Sequence, residues 1–283
     1  MLIVQRDGGV ATLTLNRPGL GNALGPGLVE SLIAESGQAI ADPATHTLVL
    51  RGEGRHFCTG LDLSDLDTVS DGDLLLRLVR IELLLSMWWH APVRTVALAH
   101  GRTWGAGADL FAVCEQRVAA EDTTLRFPGA QFGIVLGTRR LAERIGTDAA
   151  RRVVLEGAEF DARAALAAGL VSAIGDQPTL PALPAQPTHA THTTHTTQAS
   201  HTTHTTQASH TTQPVDRVTA AAVRAATRAD QRDADLAALV RSAAVPGLRA
   251  RIVAYRARQL ALRAGEGGAS APMVAGQEQP PGR

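Results

Sequence analysis

Lysine is absent from this 283-residue chain. All 27 basic side chains are arginine and 27 acidic residues balance them, so the formal net charge at pH 7 is zero. A balanced chain has no electrostatic footprint for a polyanion, which argues against nucleic acid as a partner. Cysteine is almost as scarce: Cys58 and Cys114 are the two. Two thiols are too few for a disulfide scaffold and suit a reducing compartment, where both are expected to be buried and unreactive. Also missing is any uninterrupted apolar run near the ~20 residues that a membrane helix needs. No basic segment leads into an apolar one at the N-terminus. Secretion and membrane insertion therefore lack support, and the expected location is the cytoplasm. What remains is 45% hydrophobic residues over a length that suits one large α/β domain or two modest ones.

The chain is organised around TVALAHGRTWGAGADLFAVCE, Thr95 to Glu115, where a β-branched apolar run gives way to small residues and then to a helical pattern. Strand, tight turn and helix is the expected order. A helix N-terminus presents unpaired backbone N–H groups and the positive end of its dipole, so such a turn makes an anion site without a charged side chain. With little bulk at Gly105, Ala106 and Gly107, a substrate carbonyl can reach the Ala106 N–H, and Asp109 projects from the first helical turn towards the same space. The same small residues also suit close packing, and an acid in a first turn also suits the dipole. A second turn, GEGRHFCTGLD from Gly52 to Asp62, follows a buried strand ending near Leu50. Two anion-receiving turns in one domain suggest an oxyanion hole.

The motifs NRP at 16–18, NAL at 22–24, HFCTGLDL at 56–63, HGRTWGAGADLFAVCE at 100–115, Phe127-Pro128, Arg140-Leu141 and AGLV at 168–171 occur in this order. Together they make the chain from Ile3 to about Ile174 resemble the crotonase family, also called enoyl-CoA hydratase/isomerase. The resemblance implies an α/β fold, a spiral of β-β-α units with a C-terminal helical region. It further implies an acyl-CoA substrate, no cofactor beyond the coenzyme A carried on that substrate, no metal, and a homo-oligomer, a trimer or a pair of trimers.

Along the chain, Leu2 to Gln5 and Ala11 to Leu15 alternate around Asp7-Gly8-Gly9, the pattern of a hairpin. Pro26 to Ala41 has helical spacing and leads to a strand at Thr47 to Arg51. Strand, helix and strand in succession predict a right-handed parallel crossover. Leu74 to Trp89 is apolar on at least two faces, which fits either a buried helix or an acyl-pocket wall in which Trp88 and Trp89 take part. His100 closes a strand near the pocket and is read as structural. Val118 to Ala120 and Thr124 to Arg126 are read as a short strand pair, Asp148 to Leu155 as a helix, and Asp161 as the N-cap of another helix ended by Gly169. The expected core spans 1–176. From 177 to 214 the sequence is low-complexity, with HTTHTTQAS at 192–200 repeated at 201–209, and is read as a disordered linker. A C-terminal helical region is expected over 215–264, and a disordered tail over 265–283.

The family's reactions build negative charge on a thioester oxygen as an enolate forms, and two fixed backbone N–H groups stabilise it. By resemblance these are the amides of Leu61 and Ala106, with Asp109 on the first catalytic glutamate position. His56, Phe57, Gly60, Asp62, Leu63 and Gly105 are expected to frame the substrate and its CoA moiety. The second glutamate position, after Phe127-Pro128, is Gly129, which has no side chain. Asp109 is also one methylene shorter than Glu, a retreat of about 1.5 Å where positioned proton transfer tolerates little. Three readings follow: a hydratase/isomerase that works through Asp109, a relative performing isomerisation, decarboxylation or thioester cleavage with one carboxylate, or an acyl-CoA-binding protein without catalysis.

Overall fold

The computed structural model describes residues 1–175 and 215–267. The expected linker at 177–214 lies outside the described residues, as does the expected tail beyond 267. The hairpin forms as β1 (Leu2–Asp7) and β2 (Val10–Leu15), antiparallel in a register that sets Leu2 against Leu15 and Asp7 against Val10. Gly8 and Gly9, both at positive φ, make its two-residue turn. Helix α1 (Pro26–Ala41) then crosses over, and β3 (Thr47–Gly52) returns parallel to β2.

Helix α2 (Asp71–Trp89) begins three residues before its apolar pattern, because Ser70 and Asp73 form a reciprocal capping box. After it come β4 (Arg94–Ala99), β5 (Arg102–Trp104), α3 (Ala106–Ala112), β6 (Gln116–Ala119) and β7 (Thr124–Arg126). Helices α4 (Thr138–Ile145) and α5 (Thr147–Glu156), strand β8 (Glu159–Asp161), helix α6 (Ala162–Ala167) and strand β9 (Ala173–Ile174) complete the first segment. The Asp161 side chain caps α6 by accepting from the Ala164 N–H at 2.7 Å. Helices α7 (Arg217–Ala226), α8 (Arg232–Ala243) and α9 (Leu248–Gly267) follow, the last running three residues into the expected tail.

The strands form a six-stranded sheet ordered β1-β2-β3-β4-β6-β9 and a three-stranded sheet ordered β5-β7-β8. Each unit turns a corner from the large sheet to the small one, and the corners stack: the Ala120 N–H reaches the Ala99 carbonyl at 2.8 Å, and the Thr124 N–H the Gly101 carbonyl at 2.9 Å. Single parallel bridges at Leu24–Leu61 and Cys58–Thr103 extend the small-sheet side one unit earlier each. This is the spiral of β-β-α units. The expected pairing of 118–120 with 124–126 does not occur, because the corner at Glu121-Asp122 sends the two strands into different sheets.

Every residue of β4 is buried, as is usual for a central parallel strand covered on both faces. One apolar core joins Leu13, Leu15, Leu48, Leu50, Ala97, Phe111 and Trp88. A second cluster, with Leu74 and Leu78 of α2, Ile134, Leu239 of α8, and Leu248 and Ile252 of α9, holds the C-terminal helices against the first segment. Asp71 strengthens that attachment: its carboxylate accepts from the Gly247, Leu248 and Arg249 N–H groups at 2.8, 3.1 and 2.8 Å, capping α9. Those bonds, the Arg249 N–H first, hold its carboxyl below the ordinary value.

Candidate active site

The turn before α3 and the turn after β3 meet across a cavity of about 410 Å³. Gly105 sits at φ 54 and its N–H donates to the Arg126 carbonyl at 2.8 Å, which leaves Ala106 as the first residue of α3 with its N–H outside the helical ladder. Its neighbours have divided duties. A Cβ at Gly107 would lie 2.4 Å from the Cys58 carbonyl, so this glycine serves close packing, whereas a Cβ at Gly105 would meet nothing closer than 3.8 Å. On the other turn, Leu24 donates to the Gly60 carbonyl at 2.7 Å and accepts from the Asp62 N–H at 3.3 Å. In such a bridge the intervening Leu61 N–H points away from Leu24. Gly60, at φ 97, lets the two turns approach: a Cβ there would stand 2.9 Å from the Trp104 carbonyl and 3.3 Å from the Ala106 nitrogen.

Gly60, Leu61, Leu63, Gly105, Ala106 and Asp109 all line this cavity, together with Gly129. Three other expected site residues do not. The Phe57 ring is fully buried, edge-on to Phe111 with centroids 6.2 Å apart. Asp62 is bonded to Arg17 at 2.8 Å and to the Ser64 N–H at 3.0 Å; burial alone would raise its carboxyl, but these bonds hold it below the ordinary range. His56 faces a separate polar cleft beside the cavity, where its Nδ1 accepts from the Arg102 N–H at 3.1 Å. Trp88 and Trp89 are not cavity wall either. Both are buried in the core, Trp88 donating to Ser36 Oγ at 3.0 Å and Trp89 lying under the Arg144 guanidinium at 4.6 Å. His100 bonds the Gly54 carbonyl at 2.7 Å, a structural role.

Asp109 is the sole carboxylic acid among the described residues lining the cavity. Its carboxyl makes no hydrogen bond among the described residues, and burial holds its pKa well above the ordinary value. The nearby Glu82 charge pushes in the same direction and Arg140 opposes it. Glu82 and Arg140 form a buried pair with contacts of 2.5 and 3.0 Å, and Arg140 also reaches Asp235 of α8 at 3.0 Å. The space for the Asp109 carboxyl comes from Gly137, the N-cap of α4 at φ 65, where a Cβ would lie only 2.2 Å from Asp109 Oδ1. Neither Gly137 nor Glu82 was expected as part of the site, since each contributes only through a fold that brings α2, α3 and α4 together.

Known proteins resemble this chain in sequence and in fold. The family model for enoyl-CoA hydratase/isomerase matches residues 5–233. The chain belongs to this family. Among its crotonase-type relatives, it is 32% identical over 182 residues to the Mycobacterium leprae protein named probable enoyl-CoA hydratase echA6, covering 62% of this chain and 71% of that one. It is 34% identical over 179 residues to the 2,3-dehydroadipyl-CoA hydratase of Escherichia coli, covering 61% and 68%. A Bordetella parapertussis crystal structure assigned to the enoyl-CoA hydratase/isomerase class superposes with a TM-score of 0.76 at 38% identity, covering 90% of this chain and 98% of that one. An enoyl-CoA hydratase structure from Bacillus anthracis gives a TM-score of 0.59 at 27% identity and covers 62% of this chain. The Bordetella likeness therefore extends beyond the first segment. Among the described residues no group of three His, Cys, Asp or Glu side chains is placed to hold a metal, and no helix is long and apolar enough to cross a membrane.

Proposed function

We propose that this crotonase-family chain is an enoyl-CoA hydratase/isomerase-type enzyme that processes acyl-CoA thioesters through an enolate held by the Leu61 and Ala106 N–H groups. The observation that carries the reading is the meeting of two open turns across one cavity whose wall, among the described residues, holds a single carboxyl, Asp109. Backbone donors are already oriented when charge develops, so they stabilise the oxyanion without reorganising. Gly60 matters here because a side chain would crowd the donors, its Cβ falling 3.3 Å from the Ala106 nitrogen, and Gly105 because its φ of 54 is a conformation that other residues rarely adopt.

One carboxyl favours a reaction in which the same group takes and returns a proton. In converting a β,γ-enoyl thioester to the α,β isomer, the Asp109 carboxylate removes an α-proton and the electron pair delocalises onto the thioester oxygen. The neutral acid then delivers that proton to the γ-carbon as the double bond shifts. No water is consumed and the carboxylate is regenerated. A pKa raised by burial suits this cycle, because a general base works best when its pKa approaches the working pH. Hydration divides its proton transfers between two acids in this family, and Gly129 offers none. Decarboxylation and thioester cleavage remain the further single-carboxylate chemistries.

The test is turnover of β,γ-enoyl-CoA and of crotonyl-CoA by the purified protein. Isomerisation is expected, with loss of about 10² to 10⁴ in turnover for Asp109→Asn. Tight thioester binding with no turnover of either substrate would instead identify an acyl-CoA-binding protein. We further infer a cytoplasmic enzyme, in keeping with its two buried free cysteines, and a trimer or pair of trimers, supported by exposed apolar residues such as Val253 and Leu262 on α9. A monomer by light scattering at micromolar concentration would refute the assembly.

A further inference from the structure

Arg126 lines the cavity without an anionic partner among the described residues. Its Nε donates to the Gly157 carbonyl at 3.1 Å and its Nη1 to Gln259 Oε1 at 3.0 Å, both neutral acceptors. It takes part in no ion pair among the described residues; Glu159, its cross-strand neighbour in the β7–β8 register, is exposed and not paired with it. The two acceptors of Arg126 are neutral, so the half-buried guanidinium keeps N–H groups and its charge for an anionic ligand group, whereas the other arginine among the described residues lining the cavity, Arg256, is exposed on α9. The main chain places Arg126 beside the reaction centre, because its carbonyl receives the Gly105 N–H immediately before Ala106.

Beyond Arg126 the polarity changes. Trp104, Arg126 and Gln259 border both the cavity at the two turns and a second, polar cleft of about 710 Å³. That cleft is lined by Arg55, His56 and Arg102 together with Asp122 and Glu159. Arg55 and Arg102 are likewise outside any ion pair among the described residues, and Arg102 instead lies 4.7 Å from the Trp104 ring centroid. Burial, then Arg102 and Arg55, lower the pKa of His56, as expected where positive charge is in excess. Since its Nδ1 accepts a hydrogen bond, the neutral ring carries its proton on Nε2.

We propose that Arg126 is a specificity residue that recognises a second carboxylate carried on the acyl group, so that the preferred ligands are CoA thioesters of dicarboxylic acyl chains reaching from the paired N–H groups towards the cationic cleft. The Gly157 carbonyl and Gln259 Oε1 hold the guanidinium by Nε and one Nη1 proton respectively, leaving its remaining N–H groups for a carboxylate. The proposal rests on the acyl-CoA reading above.

Its test is calorimetric titration of the full chain with two unreactive thioesters of equal chain length, adipyl-CoA and hexanoyl-CoA. The wild type is expected to bind adipyl-CoA at least tenfold more tightly. Arg126→Met should bring that ratio down to about one, and Arg126→Lys should restore part of it. A wild-type ratio near one would overturn the proposal. So would an unchanged ratio in Arg126→Met, including equal loss of both affinities, which would place Arg126 on the CoA portion common to both. If neither thioester binds the wild type, the acyl-CoA reading itself fails and takes this proposal with it.

Discussion

Gly137 offers the sharpest test of how the proposed acid/base is positioned. An alanine there would place its Cβ 2.2 Å from Asp109 Oδ1 and 2.7 Å from Asp109 Cγ. Ordinary carbon–oxygen contacts begin near 3.3 Å, so the carboxyl must retreat by about 1 Å. A displacement of about 1 Å at a positioned group costs on the order of 10² in rate. Separately, φ is 65 at this residue, and a side chain in the left-handed region costs about 1–2 kcal/mol. The two contributions are separable with a second substitution. In an Asp109→Ala background the colliding carboxyl is gone and only the residue-109 Cβ remains, 3.1 Å from the new one, so Gly137→Ala should then cost little beyond the backbone amount in urea unfolding. In the wild-type background it should cost more, by a coupling of about 0.5–3 kcal/mol. Turnover of β,γ-enoyl-CoA by Gly137→Ala should fall on the order of 10²-fold. Equal stability losses in the two backgrounds, or turnover within about threefold of wild type, would refute the packing argument and the role assigned to Asp109.

Burial raises the Asp109 pKa in the native state, so between its ordinary value of about 3.9 and the raised one the folded chain holds the proton that the unfolded chain has lost. Stability then falls as pH rises through that window; Asp109→Asn should exceed the wild type in Tm at pH 7, with the gap closing towards about pH 4. A gap independent of pH would exclude this cause. Arg140→Met leaves Glu82 buried without its partner and should lose about 3–5 kcal/mol in denaturant unfolding, most of it recovered on adding Glu82→Leu. A loss below about 1 kcal/mol would show that the pair contributes no more than a surface ion pair. Gly60→Ala, with its Cβ 3.3 Å from the Ala106 nitrogen, should lower turnover more than thioester affinity; the converse split would place Gly60 in ground-state binding alone.

The elements that depend on near neighbours were legible in the sequence. Alternation around Gly8-Gly9 produced the hairpin, helical spacing from Pro26 produced α1 with the bounds expected, and the small residues of 105–107 marked the strand-to-helix turn. Asp109 and the absence of a side chain at Gly129 could also be read directly, since each follows from a residue's identity at a motif position. What the sequence could not show were facts of long-range geometry. Strands 116–119 and 124–126 are close in sequence yet lie in different sheets, because hydrogen bonding to β4 and β9, and to β5 and β8, outweighs pairing with each other. Trp88 and Trp89 have the composition of a pocket wall, but the rotation of α2 turns them into the core while Leu78 faces the cavity. Asp71 caps a helix 176 residues away, Arg140 pairs with Glu82 across 58 residues, and Arg126 meets Gln259 across 133. Local periodicity selects strand, turn or helix, because those choices are made by backbone sterics and one buried face. Which polar groups then meet is decided by packing, since their pairing energies exist only after the apolar core has brought distant segments into contact.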